Sequence, residues 1–286
     1  MTIEAVTTQT LPVWSSPLLA DLPGVRHAVT GRQPGLGLAD GNVGFSSPRD
    51  KADAWAMRQR WAAAAGLDAA CLVTLGQIHG AVVHHVSRAD AGRGAMPGSG
   101  QIGLGDALIT NEPGPVLMTL HADCQALVLI DPGSARRGPA VCVAHAGWRG
   151  TVADVAGATV RAMAETFGSR PEDLRVSVGP AIGACCYTVG PEVIAEWREV
   201  AGGEWRQAVR NEGDEVRFSL HEANALLLQR AGVQPGHLEV SAVCTRCDGE
   251  RWFSHRGQGA ATGRFGAMIA IMDDGWDAAA LGEQRD

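Results

Sequence analysis

Three apolar runs of strand length, Val116 to Leu120, Ala126 to Ile130 and Ala140 to Ala144, follow one another closely in this chain. Each is too short for a typical helix and too uniformly apolar for a strand with a wet face, so they read as buried strands at the centre of a core. The segment His121-Ala122-Asp123-Cys124-Gln125 joins the first two, and the third delivers His145 at its C-terminal end. Upstream, Leu72 to Val86 alternates apolar and polar residues and reads as a strand, a turn at Gln77 to Gly80 and a second strand, with His79 at the bend. His79, Cys124 and His145 lie far apart in sequence, so only a folded core can gather them.

Two imidazoles and a thiolate form a borderline-soft donor set that suits Zn²⁺, and three protein ligands leave a fourth position open for water or substrate. Structural zinc sites usually draw close pairs of ligands from loops, so this dispersion points to catalysis and to a single zinc per chain. Cu²⁺ outranks Zn²⁺ for such donors and is expected only adventitiously. Asp123 is the candidate to move protons, although neighbours along a strand point to opposite faces; a role in orienting His79 or His145 is the alternative. Two further readings stay open. Cys124 serves as a nucleophile activated by His145, with Asp123 or another group orienting the base, or the chain is a non-catalytic zinc-binding module closed by a fourth ligand, His121 or Cys142.

With 286 residues the chain can bury a substantial core, and its 37 glycines are dispersed rather than gathered into a linker. One loop-rich domain over 1–286 is expected, with frayed ends at about 1–20, a possible edge strand apart, and 273–286. A net charge of −7 disfavours a nucleic-acid footprint, so any anionic ligand must be met by a local arginine cluster. No basic leader precedes an apolar core and no apolar run approaches a membrane span, which makes the cytoplasm the default. Seven cysteines cannot all pair internally, so reduced thiols are expected. Cys244-Thr245-Arg246-Cys247 has C-x-x-C spacing, but no second pair stands at zinc-ribbon distance, which leaves a structural or redox role minor.

From Thr151 the pattern turns helical, with Val152, Val155, Ala156, Thr159, Val160, Met163 and Phe167 on one face. The start of that helix beside Arg149 would suit a phosphate or another anion. Helices are also predicted from Pro191 to Val200 and after Ser219, which has capping-box spacing to Glu222. Further strands are predicted at Leu174 to Val178, Leu238 to Val243 and Phe265 to Ile271, and Gly92 to Gly105 reads as an exposed loop. The irregular alternation of strands and helices argues for an α+β fold of mixed β-sheets flanked by helices.

Taken together, Gln77-Ile78-His79-Gly80, Ala122-Asp123-Cys124, His145-Ala146-Gly147-Trp148-Arg149-Gly150, Gly179-Pro180-Ala181-Ile182-Gly183, Cys186-Tyr187 and Phe253-Ser254-His255-Arg256 through Thr262-Gly263-Arg264 resemble the laccase-domain (multicopper polyphenol oxidase-like, YfiH-type) family over roughly 25–272. The resemblance implies an α+β sandwich of mixed sheets related to cytotoxic-necrotizing-factor-type hydrolases. It also implies a purine nucleoside enzyme that phosphorolyses adenosine, inosine and methylthioadenosine and deaminates adenosine. Zinc would then sit on His79, Cys124 and His145, with Cys124, Asp123 and His145 as the catalytic set. Nucleoside and phosphate would be the partners, held by Asn42, Arg58, Arg149, Ser254, His255, Arg256 and Arg264; the oligomeric state stays open.

Several positions depart from the family pattern. Gln125-Ala126 replaces a proline after the Cys motif, His121 stands where a small or hydroxyl residue is more common, and Arg256 is followed by Gly257 rather than a second arginine. The N-terminal motif is reduced to Asp40-Gly41-Asn42-Val43-Gly44, and Arg58 falls where the family carries Asn-Arg. The H-x-E with P-C-x-x-C signature of nucleobase deaminases is absent, so deamination would use an unrelated site. Copper oxidation of phenols is the weaker enzyme reading, because the 9 histidines include no H-x-H pair. An amidase editing peptidoglycan precursors is what the cysteine-nucleophile reading would suit.

Overall fold

Side-chain alternation assigns the layers. Along the strand Gln125–Asp131, Ala126, Val128 and Ile130 face one core while Leu127 and Leu129 face another, and Ala140–Ala146 divides the same way at Val141 and Val143 against Cys142 and Ala144. Both strands are therefore buried on both faces, which explains their unbroken apolar sequence. The computed structural model of the chain describes residues 11–134 and 137–273. The predicted fraying at 1–10 and 274–286 lies outside the described residues.

Six strands form the larger sheet, in the order Leu238–Val240, Arg175–Val178, Gln125–Asp131, Ala140–Ala146, Ala107–Thr110 and Val83–His85. Its edge pairs are parallel and its inner pairs antiparallel. The second sheet runs Val25–Val29, Phe265–Ile271, Val116–His121 and Leu72–Val73, and is likewise mixed. The two sheets pack face to face through Val128, Ile130, Val141 and Val143 against Leu117, Phe265, Ala267 and Ile269. Helices Val155–Phe167, Pro191–Ala201 and Leu220–Arg230 cover the far face of the larger sheet, and Lys51–Ala64 covers that of the smaller. The result is the expected α+β sandwich of mixed sheets. Among the described residues no helix is long and apolar enough to cross a membrane.

Three local expectations are corrected. Leu72 to Val86 is not a hairpin: Leu72–Val73 joins the smaller sheet and Val83–His85 the larger, so the segment crosses between them. The helix expected from Thr151 is broken, because Trp148–Val152 ends before Asp154, which takes a left-handed φ of 58° and caps Val155–Phe167 through a bond from Gly157 N at 3.0 Å. Residues 11–20 are anchored rather than frayed. Trp14 exchanges backbone hydrogen bonds with Val29, and Leu19 is fully buried.

The layering also fixes where the chemistry falls. Residues 122–124 form a second crossing, from Val116–His121 in one sheet to Gln125–Asp131 in the other. His79 and Cys124 therefore sit on the two segments that pass between sheets, and His145 lies near the end of a strand beside them.

Candidate active site

Ligand atoms of His79, Cys124 and His145 all lie within 4.8 Å of one another, which brings together the three residues singled out by the sequence. The two imidazoles meet edge to face with centroids 4.8 Å apart. Gly147 is what lets them close: a Cβ there would stand 2.8 Å from Cys124 Sγ and 3.1 Å from His79 Cδ2.

A residue missed by sequence reasoning organises this cluster. Asp106, fully buried at the entry to the strand Ala107–Thr110, accepts hydrogen bonds from the backbone N–H groups of His79 at 2.9 Å, Gly80 at 2.6 Å and Ile78 at 3.3 Å. Its Oδ1 also accepts from His145 Nδ1 at 2.9 Å, which leaves Nε2 as the ring nitrogen that faces Cys124 and would ligate a metal. Burial alone would raise the Asp106 carboxyl, but the bonds from His145 and the loop amides outweigh it and hold the group below its ordinary value. The same amide bonds hold His79 at a left-handed φ of 60°, a conformation that a non-glycine residue rarely adopts unsupported.

Charge within the cluster is arranged as a thiolate beside a cationic imidazole, so a metal binding there would displace the His145 proton. Burial would push the Cys124 thiol up, yet the His145 charge and hydrogen bonds from both imidazoles bring it down to about 6. Burial would lower His145, but the Cys124 thiolate and Asp106 raise it to about 9. A thiolate and two imidazoles converging on one point, with a carboxylate behind one of them, fit the donor set and outer shell of a zinc centre. His121 and Cys142 stand outside the group. The ring nitrogens of His121 engage Thr119 Oγ1 and the Cys124 carbonyl, and Cys142 faces the helices, so neither supplies the fourth ligand of a closed zinc module.

Asp123 takes a φ of 86°, and this bend turns both it and Cys124 toward one cavity, against the alternation of an extended strand. Its carboxylate accepts from Thr245 Oγ1 and from Arg256 N, both at 2.6 Å. The carboxylate that orients His145 is thus Asp106, not Asp123. The cavity, of about 920 Å³, is lined by all three metal-binding candidates, by Lys51, Arg58, His255, Arg256 and Arg264, and by apolar walls that include Phe45, Leu120, Ile182 and Tyr187. Among the described residues Asp123 is the one acidic side chain lining it. A chain of net charge −7 thus concentrates cations around a single cavity.

Arg58 is buried with no carboxylate partner among the described residues; it donates to the carbonyls of Val43, Gly94 and Ala95, and burial pulls it down to about 9. Arg264 donates to the carbonyls of Thr262 and Gly263. Three expected ligand-binding residues do not line the cavity. Asn42 is buried and spends its amide on the Gly44 backbone and on Arg264 N, so it positions that arginine. Ser254 caps the helix His255–Gln258. Arg149 is exposed and stacks on Trp148, inside a five-residue helix that begins at Trp148 rather than Thr151.

Comparison with known proteins shows which family this fold and sequence resemble. The family model described as "Multi-copper polyphenol oxidoreductase laccase" matches residues 26–272. "Purine nucleoside phosphorylase YlmD" of Geobacillus stearothermophilus is 35% identical, over 82% of this chain and 84% of its own. The crystal structure of YlmD from that organism superposes with a TM-score of 0.83 at 33% identity, covering 90% of this chain and 94% of the other. A "Purine nucleoside phosphorylase" of Deinococcus radiodurans is 37% identical over 91% of this chain and 93% of its own. "Adenosine deaminase RL5", from an unknown prokaryotic organism, is 34% identical over 56% of this chain and 59% of its own.

Proposed function

This chain belongs to the multi-copper polyphenol oxidoreductase laccase family, and from that membership we propose that it is a zinc-dependent purine nucleoside enzyme. It phosphorolyses adenosine, inosine and methylthioadenosine to the free base and (methylthio)ribose 1-phosphate, and it deaminates adenosine. Relatives named purine nucleoside phosphorylase and adenosine deaminase support the activity class. The observation that carries the reading is the convergence of His79, Cys124 and His145 on a cavity ringed by cations.

His79, Cys124 and His145 would hold the zinc, which would supply Lewis acidity and a water of lowered pKa. The chain's own residues do the rest. Arg58, Arg256 and Arg264 present guanidinium charge for phosphate, whose oxygens match their forked donors. Tyr187, Phe45 and Leu120 offer apolar surface for a purine and limit water at the sugar. Asp123, held by Thr245 and the Arg256 amide, is a lining group able to accept a proton or hydrogen-bond the base. Asp106 keeps His145 in the tautomer whose Nε2 would ligate the metal. A multicopper oxidase needs several metals held by many histidines, whereas the described residues offer one histidine-containing metal group, so copper oxidation of phenols is disfavoured.

One observation favours a second reading. Cys124, His145 and Asp106 also form a thiolate, imidazole and carboxylate relay of the kind that activates a cysteine nucleophile, as an amidase acting on cell-wall precursors would need. His79 has no part in such a relay, and a third metal bond accounts for it at once. Metal analysis of untagged protein, with nucleoside turnover measured with and without phosphate, tests the proposal. Metal-free protein with full turnover would overturn it.

A further inference from the structure

A second cluster of soft ligands lies outside the His79–Cys124–His145 group. Cys185, Cys186, Cys244 and Cys247 bring four sulfur atoms within 4.8 Å of one another, and all four are free thiols. Cys247 Sγ stands 3.5 Å from Cys185 Sγ and 3.3 Å from Cys186 Sγ. A tetrahedral zinc with Zn–S bonds of about 2.3 Å has sulfur-to-sulfur edges of about 3.8 Å, so this cluster is already near the size of a four-thiolate site.

The fold builds the cluster from two loops. Strands Arg175–Val178 and Leu238–Val240 are parallel neighbours, so the segments that follow them leave at the same end of the sheet. Those segments then pair with each other: Ala181 and Cys244 form a parallel bridge, and Thr245 N donates to the Ala181 carbonyl at 3.0 Å. Cys185 and Cys186 lie in a turn, which allows adjacent side chains to converge where an extended strand would set them on opposite faces. On the other side, Cys244-Thr245-Arg246-Cys247 supplies a pair at the usual C-x-x-C spacing.

A second observation marks Cys244 as a thiolate ligand. Its Sγ accepts a hydrogen bond from Gly183 N at 3.2 Å and another from the Cys247 backbone N–H. Amides directed at a sulfur are the outer-shell support that a metal-bound thiolate receives. Arg217 and Arg246 donate to the carbonyls of Cys185 and Cys186, bringing positive charge to a group that would carry four thiolates. Cys244 is buried while Cys185 and Cys247 are exposed, so a cation has a path in from solvent.

We propose that Cys185, Cys186, Cys244 and Cys247 form a second metal site, a closed four-thiolate site for a thiophilic divalent cation such as zinc, which staples the two loops forming one wall of the cavity. Tyr187 and Ile182 come from the first loop and His255 and Arg256 follow the second, so all four cavity residues depend on that staple. Thr245, inside the C-x-x-C turn, holds Asp123 and carries the link to the Cys124 segment. Binding displaces protons from the thiols and leaves the sulfur oxidation state unchanged.

The test uses full-length untagged protein kept under reductant and compares wild type, His79→Ala/His145→Ala and Cys244→Ser/Cys247→Ser. Plasma mass spectrometry should count two zinc ions in wild type and one in the His79→Ala/His145→Ala protein. Co²⁺ added alone to that histidine variant after chelation should produce a strong thiolate-to-metal charge-transfer band, which one equivalent of Zn²⁺ abolishes. The band should be lost when Cys244→Ser/Cys247→Ser is added to the histidine changes. If the cysteine variant fails to fold, the wild-type count and the histidine-variant spectrum still decide. A folded histidine variant with neither zinc nor a cobalt band would overturn the proposal, as would cysteines recovered as disulfides under those reducing conditions. Failure of nucleoside turnover would leave this result intact, because the metal count reads the site directly.

Discussion

His145 donates its Nδ1–H to Asp106 Oδ1 at 2.9 Å with both side chains almost wholly removed from solvent. The same carboxylate takes the amides of Ile78, His79 and Gly80, so one buried anion sets both the imidazole tautomer and the loop that presents His79. Two of the three candidate metal ligands thus share a single support.

Asp106→Asn should therefore weaken metal binding at the His79–Cys124–His145 group by roughly 10–100-fold, the usual effect of losing an outer-shell partner. Competition against a calibrated chelator, run in a Cys244→Ser/Cys247→Ser background so that only this group is counted, measures it. His79→Ala or His145→Ala should remove that metal outright. Unchanged affinity in Asp106→Asn would show that the support is dispensable.

Inosine should yield hypoxanthine and ribose 1-phosphate, at a rate that rises with phosphate and saturates. Arg58→Met should raise KM for phosphate by at least about tenfold, the factor that corresponds to losing ~1.4 kcal/mol of charge-assisted bonding, with a smaller effect on KM for inosine. Coupled product analysis with and without phosphate checks this. Free ribose at an equal rate in phosphate-free buffer would point instead to a hydrolase.

Cys124 should resist alkylation in the metal-loaded protein and become reactive once a chelator removes the metal, because a metal-held thiolate is masked. Iodoacetamide labelling located by peptide mass mapping distinguishes Cys124 from the exposed Cys185 and Cys247. Rapid labelling of the untreated protein, together with turnover that survives chelation, would establish the cysteine-nucleophile reading.

Acid should destabilise the fold before its carboxylates titrate. His27 is buried and accepts a hydrogen bond from Ser16 N at 2.9 Å through Nε2, and burial lowers it to about 4. Its neutral form is the folded form, so stability is full above the unfolded value near 6.5 and falls as pH drops toward 4, by at most about 3 kcal/mol. Urea unfolding at a series of pH values should show that loss in wild type and a flatter profile in His27→Gln. Identical slopes in the two proteins would exclude His27 as the cause.

The three metal-binding candidates were legible because each is a soft ligand at the end of a run whose burial is plain from composition. Asp106 was not, since an aspartate between Gly105 and an apolar strand looks like an ordinary loop residue until four donors are seen around it. The C-x-x-C pair was visible, but its partners were hidden by their adjacent spacing at Cys185 and Cys186. Nothing local to either pair indicates that the two parallel strands preceding them are neighbours.

Unbroken apolar runs of strand length identified Ala126 to Ile130 and Ala140 to Ala144 as buried strands, and a further strand was placed at Phe265 to Ile271, because length and apolar content are local properties of the chain. Which sheet each strand joins was decided only in three dimensions. Leu72 to Val86 has the pattern of a hairpin, yet its ends pair with Val116–His121 in one sheet and Ala107–Thr110 in the other. The preference comes from burying Val73 and Leu75 in the core between the sheets, an interaction with residues distant in sequence. That choice sends the chain across the gap between the sheets at His79, beside the crossing at Cys124, and so creates the site.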